Sequence, residues 1–255
     1  MGSTHSVCQD YAATSVSPNT GVRVAVSDGC SSAPHTDFGA RFLVRAALSQ
    51  ELRDSEILLA ATRMRSAASL SWRALQATLL VANLETSGEL ITYRAGDGVQ
   101  VHRFRNGEVF YEHVAYDANT PAYLSYLLNE DDRKTFLETV PGCTLTFGAR
   151  TPEGVWSTTS RRETPARLGG DGQSFDSKEI DLVLLFTDGI ESFQNPDGSV
   201  VPIETILDEI LSIKNYKGEF LARRCSRFLA KTCAERGWKH ADDFAVAGLY
   251  LGEGD

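Results

Sequence analysis

Short apolar runs alternate with polar turns along most of the chain, and this pattern predicts strands in the middle and helices toward both ends. Runs such as Val22–Ser27 and Ile180–Thr187 are rich in β-branched or apolar residues, as in buried strands. An Asn-Gly pair at 106–107 separates two further runs, which is a strong hairpin signal. The predicted strands cover 22–27, 75–84, 89–95, 99–105, 108–114, 144–149, 154–158, 180–187 and 244–251.

Helical periodicity is concentrated in two parts of the chain, one early and one late. Either Thr36 or Asp37 is expected to cap the first helix, because side chains of this kind accept hydrogen bonds from a first helical turn. The polar, glycine-containing stretch from Thr159 to Ser177 is expected to be a long surface loop. The apolar spacing predicts helices over 36–53, 55–68, 202–213 and 218–236, and a helix plus irregular chain over 121–140.

Hairpins rather than strand–helix–strand units connect the predicted strands, so their sheets are expected to be antiparallel. Helices with one apolar face can cover such sheets from outside. We therefore expect an α+β fold: a four-layer α/β/β/α sandwich, with two antiparallel sheets packed together and flanked by helices. Residues 1–255 are expected to form a single domain.

Composition and charge narrow the class of function. The chain has 255 residues, of which 42% are hydrophobic, and a net charge of -9. It can therefore bury a hydrophobic core, but it lacks the excess of positive charge that is typical of a nucleic-acid-binding protein. No apolar run is long enough for a membrane span, and five scattered cysteines favour reduced thiols over a disulfide framework. We expect a cytoplasmic monomer with neither a nucleic acid nor a membrane partner.

Acidic residues stand at the ends of the most apolar strands. Asp28 and Asp188 each follow such a strand, with a Ser or Thr before and a glycine after, while Asp242 and Asp243 precede the last strand. Since the start of one antiparallel strand neighbours the end of the next, Asp28, Asp188 and Asp242 are expected at one sheet edge. Clustered carboxylates repel one another, and a divalent cation removes that penalty. Oxygen ligands favour magnesium or manganese over zinc.

Five short motifs together resemble the type 2C metal-dependent protein serine/threonine phosphatases. Each motif is weak alone, but all five occur in the expected order and at plausible spacing over most of the chain. They are CQDYAA (8–13), VSDGC (26–30), QATLLVANLETSGELITYRAGDG (76–98), VLLFTDGIES (183–192) and HADDFAVAGLYL (240–251).

The resemblance implies a site for two manganese or magnesium ions. Asp28 would bridge both ions, the Gly29 carbonyl would bind one of them, and Asp188 and Asp242 would hold the other. The implied reaction is hydrolysis of phosphoserine or phosphothreonine by direct attack of a metal-bridging hydroxide. No covalent enzyme intermediate is then needed.

Further residues would support this two-ion site. Asp97 would help to hold a third, looser ion, while Gln9 and Asp10 would orient the water molecules around the ions. The implied partner is a phosphorylated protein, so the enzyme would oppose a serine/threonine kinase.

Several positions depart from the family pattern. His5 stands where many members carry an Arg that binds the substrate phosphate, as in a divergent, mostly bacterial branch, and it is either a phosphate ligand or a plain strand residue. Cys30 stands where some members place a His that protonates the leaving group, a task we expect water to perform. Gly98 replaces a Ser, and Asp243 an Asn. An alternative is therefore a weak or inactive pseudophosphatase that acts as a regulatory binding module.

Other chemistry is less well supported by the sequence. A Cys30 nucleophile would require an Arg six positions later, where Thr36 stands. His5 with Cys8, or Cys30 with His35, lacks the paired spacing of a zinc site. An N-terminal-nucleophile hydrolase would need a processed Ser, Thr or Cys at the chain start, and none is evident.

Overall fold

The computed structural model describes residues 2, 7–18, 21–164 and 168–252. His5 lies outside the described residues. The strands are β1 (Tyr11–Ser17), β2 (Gly21–Ser27), β3 (Leu79–Leu84), β4 (Glu89–Ala95), β5 (Gly98–Phe104), β6 (Val109–Tyr116), β7 (Cys143–Arg150), β8 (Trp156–Glu163), β9 (Asp171–Asp176), β10 (Ile180–Phe186), β11 (Phe193–Gln194), β12 (Lys239–His240) and β13 (Val246–Tyr250).

Helices flank these strands in the chain. A π-helical turn over Phe228–Cys233 joins the last two helices, and short 3-10 helices include Trp72–Leu75, Leu124–Leu128 and Asp188–Ser192. None of the described helices has both the length and the apolar character needed to cross a membrane. The α-helices are α1 (Thr36–Ser49), α2 (Asp54–Ala67), α3 (Glu130–Thr139), α4 (Ile203–Leu211), α5 (Phe220–Arg227) and α6 (Ala234–Arg236).

Two large antiparallel sheets form the centre of the fold. The first has the strand order β1-β2-β3-β4-β9, and the second has the order β13-β10-β5-β6-β7-β8. Every neighbouring pair is antiparallel, as the predicted hairpins require. The small sheet of β11 and β12 was not predicted, and neither was β1.

The two large sheets pack face to face through the alternate residues of their central strands. Val24 and Val26 of β2 share one apolar cluster with Val183 and Leu185 of β10. Ala25, between the two valines, points the other way and belongs to the cluster of α1 and α2. Because both faces of β2 are covered, the strand reads in sequence as a continuous apolar run.

Helices cover the outer face of each sheet. Leu43 of α1 packs with Val81 on the first sheet, and Ile206 of α4 packs with Leu184 on the second. The order of layers is therefore helix, sheet, sheet, helix. The four-layer α+β sandwich expected from the sequence is confirmed.

The expected loop over 159–177 is wrong. This stretch contains the end of β8 and all of β9, which are edge strands of the second and first sheets. Most side chains of β8 and β9 are exposed, so neither strand carries the apolar alternation from which a strand is inferred. The strand predicted over 75–84 begins only at Leu79, because Trp72–Leu75 forms a 3-10 helix.

The expected cap of the first helix is also wrong. Helix α1 begins at Thr36, and the residue before it, His35, has a φ of 63° and no side-chain cap. The Thr36 hydroxyl instead donates to the Cys30 carbonyl at 3.0 Å and accepts from the Gln9 side-chain amide at 3.0 Å. This hydroxyl therefore links the start of α1 to the segment before β1.

Candidate functional site

The acidic residues singled out in the sequence meet at one end of the sandwich. Asp28 follows β2 of the first sheet, whereas Asp188 follows β10 and Asp242 precedes β13 of the second sheet. The expectation of a single sheet edge is therefore wrong. The three residues come together because the two sheets are packed with these strand ends on the same side.

An open cavity of about 320 Å³ lies between these strand ends. Backbone and side chains from both sheets contribute to it, together with the segment that follows β6. The lining residues are Asp28, Gly29, Cys30, Ser31, Ser32, Ala118, Asn119, Thr120, Pro121, Tyr123, Asp188 and Asp242.

The carboxyl groups at the cavity are partly buried and repel one another. Burial, followed by repulsion from Asp188, raises the pKa of Asp28 well above its usual range. Burial and repulsion from Asp242 raise the pKa of Asp188 to about 7. Holding these groups charged at neutral pH therefore costs free energy, which a bound cation would offset.

Asp10 lies beside Asp28 and is tied to both sheets. Burial raises its pKa to about 6, against the effect of hydrogen bonds from Asp28 and Thr187. The Thr187 hydroxyl donates to Asp10 Oδ2 at 2.6 Å. Two carboxyl groups bond to each other only when they share a proton, so the contact between Asp10 and Asp28 indicates that the pair carries one proton.

Asp97 lies in the turn between β4 and β5, which belong to different sheets. It is buried, and its Oδ1 atom has no hydrogen-bond partner within the described residues. Burial and repulsion from Asp188 raise its pKa well above the usual range. The next residue, Gly98, has a φ of 121°, and a Cβ there would lie 2.7 Å from the Phe186 carbonyl oxygen. A serine at this position would therefore be strained.

Asp243 and Gln9 connect the N-terminal segment to the last strand. Asp243 is buried and accepts hydrogen bonds from the backbone N–H groups of Gly2 at 2.7 Å and Gln9 at 2.8 Å. Its own N–H donates to Asp242 Oδ1 at 2.7 Å. Asp243 therefore positions both Asp242 and the segment that carries Gln9 and Asp10. The sequence placed Asp243 in a motif but gave it no role.

Some residues of the site were missed in the sequence analysis. The hydroxyl of Thr187 holds Asp10, and the recurring Ser or Thr before each Asp-Gly was the available signal. Glu191 pairs with His113 at 3.0 Å and adds to the negative field around Asp97. No sequence signal indicates Glu191, because its place depends on the 3-10 helix after β10.

The donor chemistry fits magnesium or manganese ions. Carboxylate and backbone carbonyl oxygens are the ligands that these ions prefer, and the orphaned Asp97 oxygen is a buried acceptor of this kind. Across the part of the chain that the structure describes, no three His, Cys, Asp or Glu side chains stand together as a ready-made metal group.

Comparison with known proteins identifies the family to which the chain belongs. A sequence model described as protein phosphatase 2C matches residues 3–230, a stretch that includes Asp10, Asp28, Asp97 and Asp188 but ends before Asp242. No curated protein sequence matches the chain.

Solved structures share the fold at low sequence identity. A bacterial serine phosphatase superposes with a TM-score of 0.54 at 12% identity, over 100% of this chain and 95% of its own. The serine/threonine phosphatase Stp1 from Staphylococcus aureus gives a TM-score of 0.55 at 12% identity, over 99% and 92%. The serine/threonine phosphatase from S. agalactiae gives 0.51 at 11% identity, over 99% and 96%. Given the family match over most of its length, the chain belongs to the protein phosphatase 2C family.

Proposed function

We propose that this protein is a metal-dependent phosphoprotein phosphatase that hydrolyses phosphoserine and phosphothreonine esters. The observation that carries the proposal is the gathering of Asp28, Asp188 and Asp242 around one open cavity, although they come from distant parts of the chain and from two sheets. Their partial burial and mutual repulsion favour a cation at this place. The substrate is a phosphorylated protein, the product of a serine/threonine kinase, and residues 1–255 form one phosphatase domain.

The residues that would hold two manganese or magnesium ions are Asp28, Asp188 and Asp242, with the Gly29 carbonyl. Asp97 would contribute to a third ion. When bound, the ions would lower the pKa of a water molecule and offset the negative charge of the phosphoryl group.

The chain positions Asp28 through its backbone. The Asp28 N–H donates to the Thr78 hydroxyl at 3.0 Å, and the Thr78 N–H donates to the Asp28 carbonyl at 2.8 Å. Gly29 continues this pairing with Ala77. The end of β2 is therefore fixed, which limits how far the carboxylate can move during reaction.

Other residues act on the water and the substrate. Asp10 and Gln9 would orient water molecules, Asp10 being held in place by the Thr187 hydroxyl. Ser31 and Ser32 line the cavity and would meet the incoming phosphorylated side chain. His5 is proposed as a ligand of the substrate phosphate, and its structural role stays a prediction.

The test compares Asp28→Asn with Asp197→Asn. Asp197 is also followed by a glycine, but it lies in an exposed turn and accepts from the Ser199 N–H at 2.9 Å. Hydrolysis of p-nitrophenyl phosphate with manganese should fall at least about a hundredfold in Asp28→Asn, because a carboxylate that would hold the ions is lost. Asp197→Asn should keep wild-type activity. Turnover that does not depend on added metal would contradict the proposal.

The alternative of an inactive binding module has one observation in its favour, namely the lack of a ready-made metal group among the described residues. Calorimetric titration with manganese separates the two functions. Metal binding that is weakened in Asp28→Asn and accompanied by turnover supports the phosphatase. Absence of both metal binding and turnover would favour the binding module.

A further inference from the structure

A basic pocket lies on the helix layer of the second sheet, outside the carboxylate cavity. It has a volume of about 600 Å³ and is built from α5 and the loop between α4 and α5. This concentration of positive charge contrasts with the net charge of -9 for the chain. The cationic residues that line it are Lys214, Lys217, Arg223, Arg224 and Arg227.

Most of this positive charge is not neutralised. Arg224 pairs with Glu209 at 3.3 Å, but the other cations of the pocket make no ion pair within the described residues. Arg223 and Arg227 are four residues apart on α5, so they lie on the same face of the helix. The Arg223 guanidinium also donates to the Lys217 carbonyl at 2.6 Å, which holds the loop against the helix.

One donor at the pocket lacks an acceptor. The Arg224 Nε atom is buried and has no hydrogen-bond partner in the described part of the chain. Ile213 and Phe220 add apolar surface beside the cations. A pocket of this size, with unpaired cations around some apolar surface, is suited to an anionic ligand.

The loop of the basic pocket and the carboxylate cavity stand at opposite ends of β10. Tyr216, in the loop of the pocket, accepts a hydrogen bond from Arg103 at 2.7 Å, and Arg103 pairs with Asp181 at 2.7 Å, at the start of β10. Asp188 follows the other end of this strand. Seven strand residues at about 3.3 Å each give a separation of about 23 Å. A ligand that contacts both the loop of the pocket and the carboxylate cavity must span about this distance.

We propose that the basic pocket docks an acidic segment of the phosphoprotein substrate; this inference rests on the phosphatase function proposed above. The cations are spread over a loop and a helix around an open pocket, which suits an extended peptide better than a single small anion. The catalytic end is itself acidic, so an acidic substrate gains a favourable contact only at a distance from it. Attachment at two points raises the effective concentration of the phosphorylated residue at the cavity.

The first test measures binding without catalysis. A fluorescent peptide of about ten Asp and Glu residues, carrying no phosphate, is titrated with the wild type and with Lys214→Gln/Arg227→Gln. We expect binding to weaken about tenfold in this variant, because two unpaired cations are removed. The control, Arg45→Gln/Arg63→Gln, removes the same charge from exposed positions on α1 and α2 and should bind like the wild type.

The second test uses the distance between the two places. Two phosphoserine peptides carry the same acidic run, placed either about twelve or about two residues from the phosphoserine. Only the longer spacing can cover about 23 Å at about 3.3 Å per residue. We expect the KM for the longer spacing to be about fivefold lower, and Lys214→Gln/Arg227→Gln to abolish this difference. Hydrolysis of p-nitrophenyl phosphate should be unchanged in that variant.

Several outcomes would overturn the docking site. Equal peptide binding by the two double variants would remove the pocket from the interaction. Displacement of the peptide by millimolar inorganic phosphate at equal ionic strength would indicate a small-anion site, and tighter binding of an oligonucleotide of equal charge would indicate a nucleic-acid site. Peptide binding that is lost in Lys214→Gln/Arg227→Gln, in a protein that hydrolyses no phosphate ester, would support the docking site while refuting the phosphatase.

Discussion

Two triplets with nearly the same sequence stand at the carboxylate cavity and are built into the fold in different ways. The first is Ser27–Gly29, at the end of β2, and the second is Thr187–Gly189, directly after β10. In the first triplet, the buried Ser27 hydroxyl donates to the Thr78 carbonyl, immediately before the neighbouring strand β3. The first triplet is therefore fixed mainly within its own sheet.

The second triplet joins three segments. The Thr187 hydroxyl donates to Asp10, just before β1 of the other sheet, and accepts from the Ala245 N–H at 3.0 Å, just before β13. One side chain thus links the two sheets at the cavity. The comparison teaches that the same signature, a hydroxyl residue before Asp-Gly, serves local pairing in one place and long-range assembly in the other.

The glycines of the two triplets also differ, and again the second triplet is the one more tightly enclosed by other segments. Neither Gly29 nor Gly189 has a positive φ, so close approach rather than an unusual turn explains both. A Cβ at position 29 would lie 2.7 Å from the Thr36 carbonyl oxygen, whereas one at position 189 would lie 1.6 Å from the Asp243 carbonyl oxygen. The backbone of Asp243 lies so close to Gly189 that the second triplet has no room for a methyl group.

The largest effect is therefore expected from Gly189→Ala. The added methyl group must displace the backbone at Asp243, and we expect the free energy of unfolding to fall by about 3 kcal/mol or more. Gly29→Ala meets a milder contact and should cost about 1 kcal/mol. Urea denaturation of both variants at neutral pH gives the comparison. Equal losses would contradict the difference between the triplets.

Much of the fold could be predicted because the central strands are covered on both faces. β2 and β10 read as unbroken apolar runs that end at Asp-Gly, so their existence and their ends were evident from sequence. β8 and β9 could not be found in this way, because their pairing comes from backbone hydrogen bonds and their side chains are mostly exposed. An apolar sequence pattern indicates which side chains are buried, and most side chains of these two edge strands are exposed.

The acidic residues of the site could be predicted from the sequence, but the contacts that position them could not. Adjacent strand ends suggested that Asp28, Asp188 and Asp242 converge, yet adjacency within one sheet cannot show that Asp28 comes from the other sheet. The contacts of Asp10 with Thr187 join residues at opposite ends of the chain. Such pairing depends on how the sheets pack, which no local pattern encodes.

The next largest effect is expected from a comparison of substitutions at the two hydroxyl residues, Thr187 and Ser27. Thr187→Val keeps the shape of the side chain but removes one hydrogen bond from buried Asp10 and leaves the Ala245 N–H without its partner, so we expect a loss of about 2–3 kcal/mol in the free energy of unfolding. Ser27→Ala removes one donor to a carbonyl and should cost about 1 kcal/mol. Thr187→Ser should restore most of the stability. If Ser27→Ala were the more damaging substitution, the assignment of the long-range role to the second triplet would be wrong.

The smallest effect concerns a buried group outside both triplets, and it tests whether this group makes the fold sensitive to acid. His102 of β5 pairs opposite Val183 of β10 and lies 4.5 Å from the ring of Phe175. Both of its ring nitrogens are buried without a hydrogen-bond partner in the described residues. Burial lowers the pKa of His102 to about 4, although Glu112 acts in the opposite direction.

Because this folded-state pKa lies below the unfolded value of 6.5, the unfolded chain binds more protons between these two pH values. The stabilising effect of neutral His102 is therefore complete above about pH 6.5 and is lost as the pH falls toward 4, by about 1 kcal/mol between about pH 7 and 5.5. His102→Phe keeps an aromatic ring beside Phe175 and should flatten the pH dependence of the unfolding free energy by that amount, while Gly29→Ala should leave the slope unchanged. An undiminished slope in His102→Phe would mean that His102 is not the source of the acid sensitivity, and the cavity carboxyl groups could not supply it, because their raised pKa values favour the folded state as the pH falls.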